Sequence, residues 1–177
     1  MYSTNFLYGR KIISLEIDQP KPKVYVNGTE KSIKYENNNQ YYIYYFDDDK
    51  DSNHKYFSVK FIWNTKLTSM SKMFDSINLL SIDLSQIDTS DVINMEFMFN
   101  DCSSLEYLDL SSFNTLKVIN MGNMFSGCSS LISLNLNNFN TQNVIQMEYI
   151  FNRCSSLKNL NLSNFITSNV TNMQKYV

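Results

Sequence analysis

Three cysteines, Cys102, Cys128 and Cys154, stand 26 residues apart. Thiols can hold zinc, but a tetrahedral site needs four ligands converging on one point, usually with Cys-x-x-Cys pairs. Here single thiols recur with His54 as the only histidine, so no metal site is expected. Disulfides are not expected either: equivalent side chains of stacked repeats run parallel rather than toward each other. Asp83 and Asp109 could be read as paired carboxylates, yet their phase continues as Asn135 and Asn161. General acid–base work also needs a pocket that shifts a pKa, and an open sheet face offers none. Asp47, Asp48, Asp49 and Asp51 lack the glycine and terminal glutamate of an EF-hand loop and read as a solvated hairpin tip. His54 has no Ser or Cys partner at a recognisable spacing and reads as a loop residue. No catalytic residue or cofactor is expected, and the chain reads as a non-enzyme.

What positions these residues is an internal repeat. DLSQIDTSDVINMEFMFNDCSSLEYL from Asp83, DLSSFNTLKVINMGNMFSGCSSLISL from Asp109 and NLNNFNTQNVIQMEYIFNRCSSLKNL from Asn135 align without a gap. A fourth copy starts at Asn161 and stops partway. A degenerate earlier copy places Leu67, Met70, Met73 and Phe74 at the phase of Val92, Met95, Met98 and Phe99, with one residue missing before Asp83. A fixed period of this length is the signature of stacked repeats.

Two periodicities alternate within each unit. Leu108 and Leu110 point one way while Tyr107, Asp109 and Ser111 point the other, the alternation of a strand with one buried face. Met121, Met124, Phe125 and Cys128 fall at i, i+3, i+4 and i+7, which predicts a short helix with Asn120 as N-cap and Gly127 as its stop. A strand and two turns of helix cannot bury an apolar face alone, so units must stack with their strands in a parallel sheet. The Met and Phe stripe then reads as core rather than as a cofactor box.

The Leu-x-x-Leu-x-Leu run of Leu105, Leu108 and Leu110 is a leucine-rich-repeat strand signature. The fuller pattern, D-L-S-x-F-x-T-x-x-V-x-x-M-x-x-M-F-x-x-C-S-S-L, resembles the 26-residue repeat of BspA-like leucine-rich repeat surface proteins of bacteria, mycoplasmas among them. The resemblance covers Leu67 to Val177. It implies a right-handed solenoid of α/β class, with one short parallel strand and one short helix per repeat, in an adhesin-like protein at the cell surface or secreted. It brings no catalytic residues.

Residues 1–66 differ. Ile13, Leu15 and Ile17 alternate, Val24 and Val26 precede the hairpin signal Asn27-Gly28, and Tyr41–Phe46 and Tyr56–Trp63 read as further strands. A small antiparallel β cap over the first repeat is expected here, with the repeats at 67–177. Up to Ile82 the sequence carries 11 Lys/Arg against 9 Asp/Glu, and the remainder 4 against 8. Nucleic acid is therefore not expected as a partner, because phosphate binding needs clustered cations. No apolar run reaches the ~20 residues of a membrane helix, and the opening residues lack a secretory h-region. The high Asn and Ser content reads as a bias of the coding sequence.

The expected recognition surface is the outward, concave strand face. Its rows are Ser81, Tyr107, Ser133 and Asn159; Asp83, Asp109, Asn135 and Asn161; and Ser85, Ser111, Asn137 and Ser163. A flat, polar, mostly uncharged face suits a protein or glycan better than a small molecule, which prefers a deep apolar pocket. The rival expectation is an intracellular structural or protein-interaction scaffold with no surface role, and an upstream signal peptide or lipobox would separate the two. The fourth copy shows no change toward polar residues, so fraying or end-to-end self-association is expected there.

Overall fold

The structure, a computed structural model, describes residues 10–16, 18–26, 29–30, 34–37, 41–46, 59–63, 65–77, 82 and 84–174. Six strands precede the repeats: β1 (Arg10–Glu16), β2 (Lys23–Val26), β3 (Thr29–Glu30), β4 (Lys34–Asn37), β5 (Tyr41–Phe46) and β6 (Val59–Ile62). They form two antiparallel sheets, in the orders β1-β5-β4 and β3-β2-β6. Val26 pairs with Thr29, so β2 and β3 flank the Asn27-Gly28 turn signal, whose two residues lie outside the described ones.

Each repeat contributes one two-residue strand, β7 (Tyr107–Leu108), β8 (Ser133–Leu134) and β9 (Asn159–Leu160), in one parallel sheet. Tyr107 pairs with Ser133 and Ser133 with Asn159, so neighbours are offset by the full repeat. A second parallel ladder of single bridges links Ser69, Asn94, Asn120, Gln146 and Asn172. Successive units therefore lie side by side in fixed register.

The short helix read from the Met-Phe stripe is not what forms. No helix occurs among the described residues, and the segment around Met121 to Gly127 is a run of turns. The N–H groups of Met121, Asn123, Phe125 and Gly127 donate to carbonyls of the next unit, at Gln146, Glu148, Ile150 and Asn152. Met124 and Ser126 instead bond locally to Met121 and Asn123. A helix would spend nearly all of these donors internally; this backbone divides them between its own turns and its neighbour. Asn123 and Gly127 take positive φ, as do Phe97, Asp101, Tyr149 and Arg153 at the same phases, and that excludes helix. With no helix to cap, Asn120 instead closes a turn, its Oδ1 accepting the Gly122 N–H at 2.9 Å. At Gly127, with a φ of 77°, a side chain would meet Asp101, so it is the space that favours glycine there, since Asp101 and Arg153 hold positive φ at the same phase.

The turns nonetheless keep the stripe inward. Met95, Met98, Phe99, Met121, Met124, Phe125 and Met147 are fully buried with the Leu105–Leu131 and Leu110–Leu136 rows in one core. Phe74, Phe99, Phe125 and Phe151 stack as near-parallel rings at centroid spacings of 5.4, 5.9 and 5.8 Å. On the N-terminal side Phe61 of β6 packs 6.5 Å from Phe74. Buried Gln19 completes this junction: its Oε1 accepts from the N–H groups of Thr68 and Ser69 at 2.9 and 3.0 Å. The amide side chain thus takes the donors that a preceding unit would otherwise receive.

Buried Thr89, Thr115 and Thr141 tie the units at another corner. The Thr115 hydroxyl donates to the Asn140 carbonyl at 3.0 Å and accepts the Asn140 N–H at 2.8 Å. Thr89 does the same with Asn114, and Thr141 with Ile166. Thr115→Val keeps the shape but leaves both backbone groups of Asn140 without that partner, a loss expected to cost about 1–3 kcal/mol. Leu110→Ala, which empties core volume, is expected to cost about 2–5 kcal/mol. Denaturant melts check both; a neutral Thr115→Val would mean that water replaces the hydroxyl at this corner.

Candidate functional site

The strand face is built by the alternation of each Leu-x-Leu run. Leu108, Leu110, Leu134 and Leu136 are buried, while Tyr107, Asp109, Ser111, Ser133, Asn135, Asn137, Asn159, Asn161 and Ser163 are exposed. Ser85 is exposed as well. Ser81 and Asp83 lie outside the described residues, as do His54 and the Asp47–Asp51 loop. Three of the expected positions are brought into one row by strand pairing, Tyr107 against Ser133 against Asn159.

The second row has a task that outward orientation alone does not reveal. Asp109 Oδ1 accepts the Ser111 N–H at 2.9 Å, Asn135 Oδ1 that of Asn137 at 3.1 Å, and Asn161 Oδ1 that of Ser163 at 3.0 Å. These are Asx turns, in which a side-chain oxygen stands in for a backbone acceptor. The same bond recurs at Asp88, Asn114 and Asn140, and again at Asn94 and Asn120. Asn94, Asn114, Asn120, Asn135, Asn140 and Asn161 thus each hold a corner. Asn138 adds a clamp between units, its Nδ2 donating to the carbonyls of Leu110 and Phe113, and Asn164 repeats this onto Leu136 and Phe139.

Over β8 and β9 the face forms an open depression of about 570 Å³, lined by Ser133, Asn135, Asn137, Lys158, Asn159 and Asn161 together with Leu134, Leu136 and Leu160. Tyr107, 59% exposed, stands one strand away. Asn137 and Asn161 touch through an Nδ2 to Oδ1 bond of 3.4 Å.

The family can be placed against this geometry. Residues 49–159 and 107–177 match the family described as "Mycoplasma protein of unknown function, DUF285". The chain belongs to that family. No curated protein and no solved structure matches it. The matched span of this DUF285 chain contains every unit whose turns, Thr corners and strand rows are described above.

The cysteines of the DUF285 repeat face inward. Each thiol donates to a carbonyl of the preceding unit: Cys102 to Phe74, Cys128 to Phe99 and Cys154 to Phe125, at 3.0, 3.1 and 3.0 Å. None of the three is in a disulfide, and no group of His, Cys, Asp and Glu among the described residues could hold a metal ion. Burial pushes the Cys128 thiol far up, with its neighbours Cys102 and Cys154 adding to the shift. Burial likewise raises Cys154 to about 11, against a backbone hydrogen bond at Cys128 that lowers it.

Away from the strand face, Lys66 meets Asp88 and Asp91 at 3.5 and 3.3 Å, and Lys117 also bonds Asp91. The hydrogen bond from Lys117, then that from Lys66, lowers the Asp91 pKa. All of these groups are exposed, and such pairs contribute little to stability. A feature that the sequence reading missed lies near them: Ile93, Ile119 and Ile145 form an exposed row, at 46%, 41% and 42%. The repeated Val-Ile pair, one residue in and the next out, was the available signal. Among the described residues no helix is long and apolar enough to cross a membrane.

Two expectations follow. Asp109→Asn keeps the Oδ1 acceptor and should leave the melt unchanged, whereas Asp109→Ala loses the corner bond and should cost about 0.5–1.5 kcal/mol; equal melts would mean that the Asx turn is dispensable. Thiol labelling of the native protein should be slow and speed up in denaturant. The Cys154 shift carries a pH sign as well. The unfolded thiol, near its ordinary 9.0, loses its proton before the folded one, so its contribution to stability is intact below about pH 9 and is lost as pH rises through about 11. Rapid labelling of all three thiols without denaturant would contradict the inward placement.

Proposed function

We propose that this DUF285 chain is a right-handed, leucine-rich-repeat-like solenoid of the BspA-like kind. In this reading it is a non-catalytic module at the cell surface that binds a protein or a glycan through its strand face. One observation carries the reading: five of the expected recognition residues, Ser133, Asn135, Asn137, Asn159 and Asn161, line a single open depression. Their side chains stand outward from a backbone that is fixed laterally by the register of β7, β8 and β9. A rigid scaffold presenting exposed polar groups fits binding, since ordering costs at the interface are already met by the fold. An extended, shallow surface also suits a polymeric ligand better than a small metabolite.

The test uses the full chain on an array of glycans and extracellular-matrix proteins. A ligand should be retained, and Ser133→Arg with Asn159→Arg should weaken it by roughly tenfold or more while the melt is unchanged. Retained ligands that ignore both substitutions would overturn the strand face as the site. Surface placement is checked separately: protease treatment of intact cells should remove the protein, and full protection of it in intact cells would favour the intracellular scaffold.

A further inference from the structure

The hydrogen-bonding capacity left over in the depression is lopsided. Asn135 Oδ1 is taken by the Asn137 N–H, and Asn137 Oδ1 by Asn161 Nδ2. Asn161 is occupied at both ends, by Asn137 and by the Ser163 N–H. Each of these oxygens keeps a second lone pair, but both N–H groups of Asn135 Nδ2 and of Asn137 Nδ2 project, so the amides keep more donor than acceptor capacity. Beside them stands Lys158, exposed and the only charged residue of the lining. Ser133 and Asn159 can donate or accept, so the net bias is toward donors.

Comparing equivalent positions along the array sharpens this. The phase held by Glu106 becomes Ile132 and then Lys158, and the phase held by Asp109 becomes Asn135 and Asn161. The turn at the second position needs only one side-chain oxygen, which Asp and Asn supply equally well. In this row the carboxylates stop at Asp109. From Leu110 onward the sequence carries Glu148 as its one acid against Lys117, Arg153, Lys158 and Lys175, so the depression belongs to a net basic stretch, which suits an anionic ligand. Tyr107, adjacent in register to Ser133, adds an exposed ring on which the C–H face of a sugar can lie.

We infer that the depression over β8 and β9 seats a carboxylated saccharide. Its carboxylate is met by Lys158 and the amide donors of Asn135 and Asn137, and its ring packs toward Tyr107. This rests on the strand-face reading above and narrows it to one ligand class.

Calorimetric titration of the full chain with tetragalacturonate, its methyl ester and a glutamate decapeptide tests the inference. The free acid should bind roughly tenfold tighter than the ester, which keeps the ring and loses the charge. Asn135→Asp retains the turn oxygen and Lys158→Gln retains bulk, so both should melt as the parent does while each weakens the acid roughly tenfold. Lys117→Gln, a cation outside the depression, should change nothing. Equal binding of acid and ester, or no effect of Asn135→Asp, would overturn the charge assignment, and binding of the decapeptide as tight as the saccharide would overturn the sugar. Two failures remain distinguishable. An array ligand lost with Ser133→Arg but indifferent to Asn135→Asp and Lys158→Gln leaves the strand face standing and removes this inference. If Ser133→Arg and Asn159→Arg affect no ligand at all, both fall.

Discussion

The lateral hydrogen bond from one unit to the next is the interaction on which the other features depend. A chain of turns leaves alternate N–H groups without a local acceptor, and here Phe97, Phe99 and Asp101 find theirs at Gly122, Met124 and Ser126. A buried amide left unpaired costs more than a made bond contributes. The spacing between units is therefore not free to drift. Once it is fixed, identical side chains fall on top of one another, which is why Phe99, Phe125 and Phe151 stack nearly parallel and why each cysteine reaches the same carbonyl one unit back. At the N-terminal junction, where no equivalent unit precedes, Gln19 supplies a carbonyl in place of backbone.

The repeat, the buried identities and the strand alternation were legible because each is written in side-chain polarity. Val92, Met95, Met98, Phe99 and Cys102 are all buried, as their recurrence requires. The helix was not legible, and the reason is physical. A run of consecutive turns with lateral bonds returns apolar side chains to one side at nearly the same spacing as a helix, so the i, i+3, i+4, i+7 pattern describes both. What separates them is backbone φ. The positive values fall at Lys72, Phe97, Tyr149 and Arg153, residue types that give no warning in a sequence. Only Gly127, Asn123 and Asp101 belong to types that favour that region.

The site was legible in outline and hidden in detail. Alternation alone placed Ser133, Asn135 and Asn159 outward, and they are exposed. Alternation could not tell that one oxygen of Asn135 is committed to its own turn, because that depends on the corner following the strand. The Thr hydroxyls were passed over for a related reason. Thr115 reads as a polar residue in a turn, and only the approach of Asn140 from the next unit turns it into a two-way bridge. Properties of one chain segment can be read from that segment, whereas properties of a contact need both sides.

That division also bears on how the face proposed for binding can vary. Inward positions are coupled to their neighbours through stacking, so a change at Phe125 disturbs Phe99 and Phe151 together. The clamping amide of Asn138 is constrained in the same way, holding two carbonyls of the unit before it. At a corner such as Asn135 the turn engages the side-chain oxygen, which aspartate supplies equally well at Asp109. Positions such as Ser133 and Lys158 carry no side-chain bond to a neighbouring unit among the described residues. A face made of such positions can change its charge residue by residue without altering the register beneath it. The succession from Glu106 through Ile132 to Lys158 is a change of that kind on an otherwise repeating backbone, and under the proposed binding role the outward rows, rather than the Met-Phe stripe, are where specificity would be written.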